Sequence, residues 1–254
     1  MKLLAVHSFA VHGTASLKAF LSILGTRVLP VPSLYLSGLT NLPGIVKAQV
    51  ELLPLLESSL DLARLRGDRL VLYVGYLGHP TQVDGILSCL DRYQDLIHAV
   101  VVDPVSGDHG RPYVPTEIIE VWPRLLQRAD WALPNFTELQ LYSGLPPESH
   151  APQVYLDAFA QRFPQLNFVA TSLPLPPHLG AYLWHQQQGH TLQHERLPRN
   201  YGGSGDVFAA YFFRYYFFEG QPVRQAMQSA IDRIIAILRH SLAEESPDLI
   251  LRPA

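Results

Sequence analysis

Ala99-Val100-Val101-Val102-Asp103-Pro104-Val105-Ser106-Gly107-Asp108 reads as a buried strand with a carboxylate, Asp103, at its carboxyl end. An unbroken apolar run suits a strand covered on both faces. The Pro/Gly loop behind it carries a second acid, Asp108. Working outward, comparable runs occur at Leu3–Val6, Val28–Val31, Arg69–Val74, Trp131–Leu133 and Phe168–Thr171. Helical patterns separate them: Ala15–Leu24 stopped by Gly25, Pro43–Arg66 stopped by Gly67, Thr81–Tyr93, Thr116–Arg128 with a Thr cap, Thr137–Ser143 and Gln153–Phe163. Gly205–Phe217 and Val223–Leu242 complete the series. Ala181–His185 and Thr191–Glu195 predict a hairpin around Gln188-Gly189. His7–Gly13 and Leu34–Leu42 are expected to be irregular, and the Pro-rich stretches 146–152 and 173–178 to be loops. Pro30 and Pro32 place the second strand toward an edge.

The alternation predicts one α/β domain over residues 1–254, with a central mostly parallel sheet flanked by helices on both faces. Ligands of such sheets bind beyond the carboxyl ends of the strands. Ser8, Asp103, Asn135 and Thr171 fall there.

Composition narrows the function. Hydrophobic residues make up 48% of the 254, enough for a large core, while charged residues are only 16%. That is below the usual quarter and suggests apolar surface hidden in a subunit interface. A net charge of −3 argues against nucleic-acid or anionic-membrane partners. The lone cysteine, Cys89, can form neither an internal disulfide nor a zinc site, which fits a reducing cytoplasm, and it reads as a small core residue on a helix. The amino terminus does not read as a signal peptide. The most apolar run, Val207–Phe218, is interrupted by Arg214 and falls short of the roughly 20 residues of a membrane span.

Three segments carry the chemistry. In Tyr201-Gly202-Gly203-Ser204-Gly205-Asp206-Val207, glycines lead into an apolar helix. Free N–H groups and the positive dipole end in its first turn suit a phosphoryl group in transfer. Asp206 in that turn is either a base for an attacking hydroxyl or a residue that merely favours the helix start. Asp103 suits magnesium, which prefers carboxylates, waters and substrate phosphates. In Leu133-Pro134-Asn135-Phe136-Thr137-Glu138, Asn135 and Glu138 are spaced as a capping box, a role compatible with holding a metal-bound water.

In this order, Asp103-Pro104-Val105-Ser106-Gly107-Asp108, Leu133-Pro134-Asn135-Phe136-Thr137-Glu138 and Gly203-Ser204-Gly205-Asp206 resemble the pyridoxal kinase branch of the ribokinase superfamily. His7-Ser8, the turn Leu36-Ser37-Gly38-Leu39-Thr40 and Gly75-Tyr76-Leu77-Gly78 are similar to its substrate-binding segments. The resemblance implies a ribokinase-like fold and transfer of the ATP γ-phosphate to the 5′-hydroxymethyl group of a pyridoxal-type vitamer. Asp206 would be the base, with Gly203, Ser204 and Gly205 holding the phosphoryl group. Asp103 and Glu138 would position Mg2+, Ser8, Thr40 and Tyr76 would line the vitamin pocket, and Asp108, Asn135 and Thr171 would lie by the nucleotide. A hydroxymethylpyrimidine-type kinase is an alternative, although relatives on that side usually carry Cys where Asp206 stands. A binding protein that has lost catalysis is another.

The sequence departs from the family pattern at several points. Leu133 replaces a common Thr. Gly13-Thr14-Ala15-Ser16 and Leu42-Pro43-Gly44 replace other segments around the substrate. Lys2, Lys18 and Lys47 are the only lysines, all far upstream, so a phosphate contact falls to an arginine such as Arg111 or Arg199, or to magnesium and backbone alone. No Walker-type phosphate loop occurs. His7, His12, His79 and His109 lie in expected loops near the proposed site and read as solvated loop residues, with a base in the pocket as the alternative. The run Tyr211-Phe212-Phe213 to Tyr215-Tyr216-Phe217-Phe218 reads as core and interface, and with the low charge content it is consistent with the homodimer that the resemblance implies.

Overall fold

The computed structural model describes residues 1–40, 42–147 and 150–251. Its elements are β1 (Lys2–Ala10), α1 (Ser16–Leu24), β2 (Val28–Leu36), β3 (Lys47–Gln49), α2 (Leu52–Leu65), β4 (Leu70–Val74), α3 (Gln82–Arg92), β5 (Ile97–Val102), β6 (Gly107–Asp108) and β7 (Arg111–Pro112). There follow α4 (Thr116–Leu126), β8 (Trp131–Ala132), α5 (Phe136–Ser143), α6 (Pro152–Arg162), β9 (Asn167–Leu175), β10 (His178–His185), β11 (Gln188–His194), α7 (Ser204–Phe212) and α8 (Val223–Ala243). Among the described residues, nine strands form one sheet in the order β11-β10-β9-β8-β5-β4-β1-β2-β3. The six strands from β9 to β2 are parallel, while β3 and the β10–β11 pair run antiparallel at the two edges. The expected α/β class and covered parallel sheet are what the chain adopts.

Strand periodicity divides the core in two. Leu4, Val6, Leu72 and Val74 point into one cluster, which α2 to α6 cover. Leu3, Ala5, Val71 and Tyr73 point into the other, under α1, α7 and α8. Cys89 is buried on α3 as expected. Pro30 and Pro32 lie in the half of β2 that pairs only with β1, because β3 covers only Leu34–Leu36.

Several boundaries differ from the sequence expectations. His7 to Ala10 is strand rather than loop, since parallel pairing with β2 continues to Ala10 beside Leu36. The polar pair His7-Ser8 disguised it, and both residues are buried. Leu34–Leu36 is likewise strand, and the helix expected from Pro43 begins only at Leu52, after edge strand β3. Thr116 is the first residue of α4, with Pro115 at the cap position. The stretch 173–178 belongs to the β9–β10 hairpin instead of a loop. The β10–β11 hairpin exists, but its turn is Gln186-Gln187, both at positive φ (52° and 60°). Gly189 lies in β11 because the Tyr182 hydroxyl crosses it: a Cβ there would sit 1.9 Å from that oxygen. The helix expected through Phe217 is α-helical only to Phe212 and continues as a π-helical turn, Phe213–Phe218. Within the Pro-rich stretch 146–152, Pro152 opens α6, and residues 148 and 149 lie outside the described residues.

Candidate active site

The winding direction reverses beside β1. The chain proceeds outward through β2 on one side and through β4, β5, β8 and β9 on the other. Such a reversal leaves a crevice beyond the strand ends. The loops after β1 and β4, Asp103 after β5 and Asn135 after β8 meet there, and α7 starts beside them.

Gly203 caps α7 in a left-handed conformation (φ 86°), and a Cβ there would lie 2.2 Å from the Thr14 carbonyl oxygen. Glycine is required for that approach. Gly205 differs: it is exposed, and a Cβ on it would meet nothing within 4 Å. Open space thus faces the first turn of a helix whose leading N–H groups point outward.

Asp206, third in that helix, does not cap it. Its carboxylate turns toward α1, where Oδ2 accepts the Ser16 backbone N–H at 2.7 Å and Oδ1 lies 2.9 Å from His7 Nε2. Ser16 holds a left-handed conformation (φ 56°), unusual for serine, to deliver that N–H. The expectation of a solvated His7 is overturned: the residue is 2% exposed, on the α1/α7 face of β1, with its ring near Phe20 and Tyr73. A Cβ on Gly75 would strike this ring at 2.4 Å, so Gly75 makes room for His7. His12, His79 and His109 are exposed as anticipated.

Asp103 is buried, and its Oδ2 accepts the Tyr73 hydroxyl at 2.9 Å. Burial, then repulsion from Asp206, pushes its pKa up to about 7. Glu138 is also buried, and its pKa lies well above the usual carboxylate range for the same first reason, with Asp103 next. The predicted capping box is present: Asn135 Oδ1 accepts the Glu138 N–H at 3.1 Å, and Glu138 Oε2 accepts the Asn135 N–H at 2.9 Å. Glu138 Oε1 accepts the Ser106 N–H at 2.9 Å. Asn135 Nδ2 donates to the Gly107 carbonyl and Thr137 Oγ1 accepts the Gly110 N–H, so α5 pins the β6–β7 flap at two points. Asp108 sits exposed on that flap and accepts the His109 N–H.

The remaining expected residues are distributed around this centre. Ser8 is buried, and its Oγ lies 2.8 Å from Ser16 Oγ. Thr40 is exposed on the turn after β2. Leu39 from that turn packs against both Gly13 and Gly202, bringing the turn to the glycine segment. Tyr76 is buried among the α2/α3-side core residues. Thr171 lies mid-way along β9 rather than at a strand end, because pairing with β10 carries β9 on to Leu175; it bridges Asn135 beyond the end of β8, and its N–H donates to the Pro134 carbonyl. Arg199 stacks its guanidinium over the Tyr201 ring at 4.8 Å, just before the glycine turn, and makes no ion pair among the described residues. The contacts of His7 and Ser16 with Asp206 are what sequence reasoning missed at this candidate site. A histidine directly following an unbroken apolar run was the available signal. A groove of about 620 Å³ opens between the starts of α2 and α3, beside Leu53, His79 and Asp84; of the residues above, it is lined by His79 and by none of the residues gathered around Asp206, Asp103 and Glu138.

The geometry can be compared with known proteins. No protein-family model matches the chain. It is 26% identical to an Arabidopsis thaliana pyridoxal kinase over 95% of this chain and 82% of that one. A Dictyostelium discoideum pyridoxal kinase is 28% identical over 57% of this chain and 50% of its own length. Among solved structures, a candidate phosphomethylpyrimidine kinase from Bacteroides thetaiotaomicron, crystallised with pyridoxal, superposes with a TM-score of 0.83. The identity is 26%, covering 94% of this chain and 88% of that one. Entamoeba histolytica pyridoxal kinase gives a TM-score of 0.85 at 23% identity over 94% and 89%. The fold is therefore that of the ribokinase-like kinases. Within that class the resemblance is to the pyridoxal kinase family, as the ordered motifs implied.

Proposed function

We propose that this protein transfers the γ-phosphate of ATP to the 5′-hydroxymethyl group of pyridoxal, pyridoxine or pyridoxamine. The observation that carries the reading is the Asp206 carboxylate, supported on both oxygens, beside open space at the first turn of α7. Asp206 accepts the proton of the vitamer hydroxyl as that oxygen attacks the γ-phosphorus, and the bond to the ADP oxygen breaks. The N–H groups of Gly203, Ser204 and Gly205 hold the phosphoryl oxygens in transfer. Ser8, Thr40 and Tyr76 border the vitamer, Asp108, Asn135 and Thr171 the nucleotide. Arg199 or Arg111 supplies the cationic phosphate contact.

The donor set fits magnesium. Two buried carboxylates with raised pKa values sit where a cation would offset their repulsion. No group of three His, Cys, Asp or Glu converges among the described residues, which suits an ion that keeps its waters. Asp103 would hold it directly and Glu138 through water, since both Glu138 oxygens already accept backbone N–H groups. Bound there, it would neutralise phosphate charge.

Two further expectations belong to this reading. A cytoplasmic enzyme is consistent with there being no helix, among the described residues, long and apolar enough to cross a membrane. Exposed Tyr35, Val46, Leu53 and Leu55 on β2, α2 and the loop before β3 support a homodimer.

ADP release with each vitamer and with hydroxymethylpyrimidine tests the function. Turnover on a vitamer is expected, falling by roughly 10² to 10⁴ in Asp206→Asn. Turnover on hydroxymethylpyrimidine alone would move the protein to the pyrimidine side, a reading that the Bacteroides neighbour keeps in view. Tight vitamer binding without turnover would make it a binding protein.

A further inference from the structure

Four residues close a hydrogen-bonded ring at the proposed base. Asp206 Oδ1 meets His7 Nε2 at 2.9 Å, and His7 Nδ1 accepts the Ser8 backbone N–H at 2.7 Å. Ser8 Oγ meets Ser16 Oγ at 2.8 Å, and the Ser16 N–H returns to Asp206 Oδ2 at 2.7 Å. The backbone donor fixes the tautomer: a nitrogen that accepts an N–H carries no proton, so the proton of His7 lies on Nε2 and is donated to the carboxylate. His7 therefore acts as a donor to Asp206 rather than as an acceptor of its proton.

We infer that His7 is a positioning residue for Asp206: with the Ser16 N–H it clamps both carboxylate oxygens, so that a remaining lone pair faces the acceptor hydroxyl. The inference deepens the functional reading above and rests on it. The clamp is built at a cost. Gly75 is bare so that the ring fits, Ser16 takes a left-handed conformation, and His7 is a buried polar side chain on the face of β1 that otherwise presents Leu3 and Ala5 to the core. A bulge in the β1–β2 pairing falls at His7/Ser8, the kind of irregularity that re-aims side chains beside sites.

The test compares His7→Phe, which fills the ring space without a donor, with His7→Gln, whose amide nitrogen reaches near the Nε2 position. The Phe variant is expected to lose roughly ten- to a hundredfold in kcat with KM for ATP within about twofold, and the Gln variant to recover most of the loss. Wild-type kcat in the Phe variant would overturn the inference, and so would a folded Gln variant as slow as Phe. Should the Phe variant not fold, nitrogen NMR of the wild-type imidazole in mildly alkaline buffer decides. A proton on Nε2 with Nδ1 bare is expected, and the reverse tautomer overturns the clamp. Failure of the functional reading shows separately, as a wild-type enzyme without turnover.

Discussion

Alanine at Gly205 would add a methyl group where, apart from its chain neighbours and the helix's own backbone, no protein atom lies within 4 Å. Gly205 is within α7 and not at positive φ, so alanine there should raise stability by about 0.5–1 kcal/mol, the usual helical gain. If the open space is where phosphate is transferred, the same methyl blocks it. Gly205→Ala should therefore melt at or above the wild-type temperature while losing most turnover. Full activity would show that this space is not the phosphoryl site. Asp103 gives a second test by linkage. Its folded pKa of about 7 lies above an unfolded value near ~3.9, so between these the folded state binds more protons. Stability from this group is fully present below about pH 4 and is lost as pH rises toward about 7. In metal-free buffer, Asp103→Asn should lose less thermal stability than wild type between about pH 5 and about pH 8. Parallel curves would contradict the shift.

At the scale of elements, α5 both starts itself and holds the flap. Its capping box was legible from spacing alone, because Asn and Glu three apart satisfy each other's backbone groups without help from the rest of the fold. The pinning of Gly107 and Gly110 was not, since it joins residues about 28 positions apart in sequence. Thr137→Val keeps the shape of the side chain and frees the Gly110 N–H. Losing one hydrogen bond of about 1 kcal/mol should raise KM for ATP roughly fivefold while leaving vitamer KM near wild type. Equal KM values for ATP would mean that the flap does not report on nucleotide.

For the whole molecule, local pattern determined much. Apolar runs alternating with helical stretches require a parallel sheet with both faces covered, because each strand must bury two sides and each helix one. That reasoning placed Asp103 and Asn135 at the sheet's carboxyl edge and Asp206 at a helix start. It failed where tertiary pairing overrode local signals. His7-Ser8 looked like a loop because polar side chains interrupt the run, yet pairing with the neighbouring strand continues past a bulge at His7/Ser8 to Ala10. Edge strand β3 exists only because β2 offers its exposed edge. The partner of Asp206 is the clearest case. The sequence by itself determined an acid in the first turn of a glycine-led helix. Only the tertiary structure decided what that acid touches, because His7 and Ser16 lie about 190 to 200 residues away and meet it where α1 and α7 pack over the same face of β1. Hydrogen bonds act over a few ångströms of space whatever the separation along the chain, and only packing sets that distance.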